Sequence, residues 1–154
     1  MNLVWKIKKF EELTAIELYN IMHLRGEVFI VEQNCPYLDA DGKDLESFHL
    51  MGISESYELI AYARIVPAGI SFKEVSIGRV VSSSKVRGKG VGKALMERSL
   101  EMINEKFDAT SIRISAQCYL KKFYEKFGFV IVSEEYLEDN IPHVEMLKIP
   151  VLLF

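Results

Sequence analysis

The chain is 154 residues long, 49% hydrophobic and 27% charged, with a formal net charge of −3. That length suits one globular domain and that composition supports a sizeable core, which excludes a two-domain enzyme and general disorder. The slight acidity argues against a protein that coats nucleic acid, so an anionic ligand has to be met by a local basic cluster.

Val4, Trp5 and Ile7 predict a short first strand. From about Glu11 to Val31 the spacing of Ile16, Tyr19, Met22 and Val28 is helical, and the helix runs into a polar, acidic loop from Glu32 to Glu46 that is long enough to be functional. Phe48 to Ser54 and Leu59 to Val66 flank Glu55–Ser56–Tyr57–Glu58 as a hairpin, and Val75 to Ser82 reads as a third consecutive strand. The period then changes. Met96, Leu100, Ile103 and Phe107 predict a helix, Ile112 and Ile114 a strand, Leu120 to Phe127 a second helix, Phe129 to Val132 a strand, and His143 to Ile149 a last strand. This order predicts an α/β or α+β domain, a mixed sheet with helices on its faces, with one continuous domain over residues 1–154.

Cys35 and Cys118 form no CxxC pair, which argues against a thiolate zinc site or a disulfide scaffold, and no metal is expected. Lys6, Lys8 and Lys9 interrupt any signal-like N-terminus, and no stretch reaches ~18 apolar residues, so a soluble cytoplasmic protein without a membrane partner is expected.

The chemistry-bearing stretch is Arg87-Gly88-Lys89-Gly90-Val91-Gly92, which follows the strand Ile77 to Ser82 and opens the helix through Phe107. Alternating glycines at a strand-to-helix turn expose successive backbone N–H groups, and a helix N-terminus adds about half a positive charge. Lys85, Arg87, Lys89 and Lys93 crowd the same segment without an acidic neighbour, so side chains and backbone point to one ligand, a phosphate or pyrophosphate. A Walker A loop is excluded because Arg87 stands where its first Gly belongs and Ala94 where Ser or Thr is needed. The dinucleotide fingerprint G-x-G-x-x-G also fails, since Lys93 or Leu95 occupies the third glycine's place.

A second element follows from Gln117 to Phe129, a short amphipathic helix closed by Gly128 before a strand. The pair R-G-K-G-V-G and F-Y-E-K-F-G-F resembles motifs A and B of the GNAT N-acetyltransferase superfamily. Leu24 to Tyr37, Gly42 to His49, Ala61 to Ile65 and Ile77 to Val80 resemble its ElaA-like subgroup, so the resemblance covers nearly the whole chain. It implies a mixed, mostly antiparallel sheet with helices on both faces, and transfer of an acetyl group from acetyl-CoA to a primary amine of a small molecule or peptide. It places the pyrophosphate on the amides of Arg87, Gly88, Lys89, Gly90, Val91 and Gly92 beside Lys93. The pantetheine arm lies along Val80, Val81 and Ser82 and within reach of Gln117, and Tyr124 donates the proton to the departing thiolate.

An amine attacking a thioester needs alignment, a base and an acid but no enzyme nucleophile, so Cys118 reads as a small buried hydrophobe. No motif selects the base. Glu32, Glu74, His49 and His143 are candidates because each lies at a strand or loop edge. The run Glu32, Asp39, Asp41, Asp44 and Glu46, opposed only by Lys43, predicts a negative mouth that draws in a cationic amine acceptor. A non-catalytic acyl-CoA sensor is the rival function. A faint similarity of Arg25 to Glu32 to acyl-homoserine-lactone synthases is a third reading. Val151 to Phe154 reads as a strand end or a dimer contact, which leaves monomer and homodimer open.

Overall fold

The computed structural model describes residues 1–108 and 110–150, so the expectation for Val151 to Phe154 lies outside the described residues. Strands β1 (Val4–Lys9), β2 (Phe48–Ile53), β3 (Leu59–Val66) and β4 (Ser76–Ser82) form an antiparallel sheet in the order β1-β2-β3-β4. The polar segment between β2 and β3 turns as its composition predicts, with Ser54 N–H donating to Glu58 O at 2.9 Å. Strand β3, Leu-Ile-Ala-Tyr-Ala-Arg-Ile-Val, is buried from Ile60 onward because a helix covers each face of the sheet. Helix α1 (Ala15–Arg25), begun by a capping box between Thr14 and Glu17, packs Ile21 and Leu24 against Met51, Tyr62 and Val81. Helix α2 (Val91–Phe107) packs Leu95, Met96 and Ile103 against Leu50, Ala61, Ala63 and Ile65 on the other face.

The second sheet holds β5 (Ile112–Gln117), β6 (Val130–Ile131), β7 (Tyr136–Glu138) and β8 (Ile141–Lys148), all paired antiparallel through β8, with helix α3 (Lys121–Glu125) between β5 and β6. Among the described residues the two sheets are joined by one parallel bridge, Val75 with Ile112, where Arg113 N–H donates to Val75 O at 2.9 Å. Beyond it β4 and β5 part.

Three elements differ from the expectations. The first helix does not run as α-helix to Val31: it ends at Arg25 and continues as a π-helical segment, Gly26–Glu32, with Gln33 N–H donating to Val28 O and Cys35 N–H to Ile30 O, each at 3.1 Å. The second predicted helix is shorter, a 3₁₀ turn Cys118–Leu120 followed by α3. A strand absent from the sequence reading, β7, pairs with β8 through Asp139 and Asn140 at φ of 50° and 63°, a two-residue hairpin whose positive φ angles suit Asp and Asn.

The loop from Glu32 to Glu46 is fastened from below by arginines. Arg25, 0% exposed, donates from Nε to Asp39 Oδ2 at 2.9 Å and from Nη1 to Asp44 Oδ1 at 2.7 Å. Arg64, on β3, donates to both Asp41 oxygens at 2.8 Å and to Asp44 Oδ1 at 3.0 Å. Arg79, on β4, donates from Nε to Asp39 Oδ1 at 2.8 Å. Burial alone would raise the pKa of Asp44 and Asp41, yet hydrogen bonds and charge from Arg25 and Arg64 outweigh it and hold both below the ordinary carboxylate value.

Removing one partner from such a cluster strands a buried charge. Arg25→Met is therefore expected to cost about 3–5 kcal/mol of unfolding free energy in urea titration, and a loss under about 1 kcal/mol would contradict the cluster's role. Because the folded-state values of Asp41 and Asp44 are depressed, their contribution is present above the unfolded carboxylate value of ~3.9 and is lost progressively as pH falls from there toward the folded values, so a melting series from pH 7 to about pH 2 should show the decline setting in below about pH 4.

Candidate active site

The parting of β4 from β5 opens a cavity of about 1020 Å³. One wall is the β4 edge from Ile77 to Ser82; the other is Ile114, Ser115 and Gln117 of β5. A β-bulge shapes the first wall: Tyr62 pairs with Val81 but Arg64 with Gly78, so Arg79 and Val80 together face Ala63. Arg79 takes a left-handed φ of 50°, costly for a non-glycine residue, and is held there by its bonds to Asp39 and by Tyr37, whose ring lies 5.8 Å from its guanidinium. Beyond the bridge no strand among the described residues pairs with the outer edge of β4, opposite β3, and Val80, Val81 and Ser82 line the cavity along that edge.

Arg87 closes the end of the cavity toward α2. Gly88 and Gly90 follow with φ of 79° and 77°, nothing stands within 4 Å of where their Cβ atoms would be, and the first turn of α2 contains no acidic residue. Gly88, Lys89, Gly90, Val91, Gly92 and Lys93 lie outside the cavity lining, as a loop and helix start at its margin, with Lys89 and Lys93 exposed. An extended ligand with an anionic end fits this arrangement: its middle along the β4 edge, its charge on the glycine loop.

Tyr124, 7% exposed, lines the cavity while its ring packs edge-on against Phe123 and Phe129 at 5.2 and 6.1 Å, so it is both a core residue and a wall residue. Burial pushes its phenol well above the ordinary tyrosine value, which keeps it a proton donor across neutral and alkaline pH. Gln117 also lines the cavity and contacts Gln33 of the α1–β2 loop at 3.4 Å.

The base candidates separate. His49 is 0% exposed, with Nδ1 2.7 Å from Tyr62 Oη and Nε2 2.9 Å from Asp44 O, so it cannot meet an acceptor; the strand-edge expectation fails because α1 and the loop cover its face of β2. Burial holds its pKa below the ordinary histidine value, leaving it a neutral strut. Glu74 is tied to Arg113 at 3.0 and 3.1 Å and lies outside the cavity lining. Glu32 does line the cavity, but its carboxylate is held by Arg87, and that bond lowers its pKa. His143 lines the cavity too.

The expected acidic mouth is also corrected. Asp39, Asp41 and Asp44 are charge-matched by Arg25, Arg64 and Arg79, arginine partners that lie far along the chain, so these three carboxylates are not free to face a cationic ligand. The sequence reading missed these arginines and also Glu138, which lines the cavity beside Ser115 and His143; the Asp139-Asn140 turn signal between Tyr136-Leu137 and Ile141-Pro142-His143 was the available clue.

Residues 31–150 match the family model described as an acetyltransferase (GNAT) domain. The chain is 42% identical over 146 residues to protein ElaA of Escherichia coli, covering 94% of this chain and 95% of that protein. It superposes with a TM-score of 0.90 and 45% identity on the crystal structure of an acyl-CoA N-acyltransferase from Pseudomonas aeruginosa, covering 96% of this chain and 99% of that one. The E. coli ElaA crystal structure gives a TM-score of 0.89 at 40% identity, covering 96% and 99%.

Glu32 competes for the guanidinium that an anionic ligand at the loop would use. Glu32→Gln is expected to tighten the dissociation constant for coenzyme A by about two- to fivefold, the worth of one exposed ion pair, as read by titration calorimetry; weakened binding would contradict the competition.

Proposed function

The chain belongs to the GNAT acetyltransferase family, and we propose that this acyl-CoA-dependent N-acyltransferase moves an acetyl group from acetyl-CoA to a primary amine of a small molecule or peptide by direct attack. The observation that carries the reading is the cleft between β4 and β5, which joins an unpartnered strand edge, a basic glycine loop and a buried tyrosine in one cavity margin.

In this reading the backbone of Val80, Val81 and Ser82 pairs with the amide groups of the pantetheine arm, as an added strand pairs with a sheet edge, and an N–H of the same edge polarises the thioester oxygen. Arg87 and the amides from Gly88 to Gly92 receive the pyrophosphate, with Lys89 and Lys93 beside them. Gln117 reaches the arm from the β5 side. Holding the two reactants in one cleft supplies much of the acceleration, so no enzyme nucleophile is called for. Tyr124 donates its proton to the sulfur as the C–S bond breaks, a role supported by its cavity position and raised pKa. A sensor would share the binding groups but release no thiol.

Saturating acetyl-CoA at ~100 times its dissociation constant is expected to stabilise the fold by ~2.7 kcal/mol, and a panel of amino acids, polyamines and peptides with free amines should give free thiol with at least one acceptor. Binding with no thiol release from any amine would favour the sensor. Tyr124→Phe should preserve acetyl-CoA affinity and lower kcat by about 10²-fold. Since the Tyr124 pKa is raised, wild-type kcat should show no loss assignable to this group below about pH 10, and an unchanged kcat in the variant would make Tyr124 a packing residue only.

A further inference from the structure

We propose that Glu138, at the tip of the β7–β8 hairpin, is the base that takes the proton from the acceptor amine. This rests on the amine-transfer reading above, which leaves the base unassigned. The cavity wall around β5 carries a compact polar group that the cleft's binding function does not use. Ser115 Oγ lies 2.5 Å from Tyr136 Oη and donates to Glu138 Oε1 at 3.3 Å, while His143 Nε2 lies 3.3 Å from Glu138 Oε2. The His143 ring is itself fixed, with Nδ1 2.6 Å from Ile141 O and its face stacked on Tyr136 at 6.1 Å. Ser115, Glu138 and His143 all line the cavity that Tyr124 lines.

The competing carboxylates of that cavity are held elsewhere or unheld. Asp41 accepts two bonds from Arg64, Glu32 accepts from Arg87, and Asp139 is a positive-φ turn residue whose carboxylate has no hydrogen-bond partner among the described residues. Glu138 differs from all three. Among the described residues it faces no guanidinium, and Ser115 orients Oε1. Oε2 lies beside His143 Nε2, which donates only when the ring is protonated because Nδ1 is committed to Ile141 O, so each oxygen keeps a lone pair for a further donor. A base needs this combination of fixed direction and free acceptor capacity. The hairpin is anchored across the cleft as well, since Cys35 Sγ of the α1–β2 loop donates to Asp139 O at 2.9 Å.

The step balances. The Glu138 carboxylate accepts one proton from the alkylammonium acceptor, and the freed nitrogen lone pair forms the C–N bond to the thioester carbon. As the C–S bond breaks, the Tyr124 hydroxyl gives its proton to the sulfur and recovers one from the nitrogen. Amide and free thiol leave, with one proton on Glu138 to be passed to solvent.

The experiment uses the full chain, acetyl-CoA and the amine of the panel that releases thiol fastest. Glu138→Gln is expected to lower kcat by about 10²-fold with acetyl-CoA affinity unchanged within twofold, and added formate should restore at least a tenth of the activity lost in Glu138→Ala by returning a free carboxylate. Ser115→Ala should lower kcat about fivefold, the worth of one hydrogen bond, without raising KM for the amine. A Glu138→Gln kcat within threefold of wild type, or a Glu138→Ala loss that formate does not relieve, overturns this assignment while leaving acyl transfer intact. Thiol release with none of the amines overturns the transfer reading and this inference with it.

Discussion

Every functional feature of the molecule depends on where its two sheets stop touching. Val75 and Ile112 share one parallel bridge and one backbone hydrogen bond of 2.9 Å, after which β4 and β5 diverge. A strand edge with bare N–H and C=O groups invites a partner, whether another chain or a ligand with amide groups of its own. Here the edge faces a cavity bounded by β5, the α1–β2 loop and the β7–β8 hairpin, so a slender ligand lying in the cavity can pair with it. The divergence therefore creates the site.

The arginine–aspartate cluster is the counterpart of that opening. A cleft between sheets needs walls that do not collapse into it, and the wall from Asp39 to Asp44 is a loop with little apolar side chain of its own. Arg25, Arg64 and Arg79 reach it from α1, β3 and β4, so its position is set by three different elements. Such a cluster is a poor source of net stability, because desolvating six charges offsets much of their attraction. Its worth is geometric: the same Arg79 that takes a left-handed backbone at the bulge is bonded to Asp39, so the loop and the β4 bulge are fastened to each other. Loop position and strand-edge chemistry are thus one structure.

Much of the fold was legible because its signals are local. Short apolar runs and the polar turn between them define β2 and β3, and the end of β3 at Val66 coincides with the end of the apolar run. The glycine loop was legible because three glycines and four cations in one segment have few other uses. The rest was not, for physical reasons. Apolar spacing from Ile16 to Val28 is shared by an α-helix and by an α-helix that loosens into a π-helical segment, so the change at Gly26 left no mark. Strand β7 is three residues long with Leu137 exposed, too short for a period to show. The acidic run misled because charge counting along the chain cannot see Arg79 arriving on Asp39 from forty positions away. His49 misled in the same way, its strand-edge look hiding the helix above it.

The proposed function turns on the β4 edge from Val80 to Ser82 as the binding strand for the acyl-CoA arm. Amide hydrogen exchange of the full chain, with and without acetyl-CoA, tests it most directly. Slowed exchange is expected at Val80, Val81 and Ser82 and at the amides from Gly88 to Gly92, with β1 unchanged. Acetyl-CoA that binds and protects other segments while leaving the β4 edge as fast as before would contradict it.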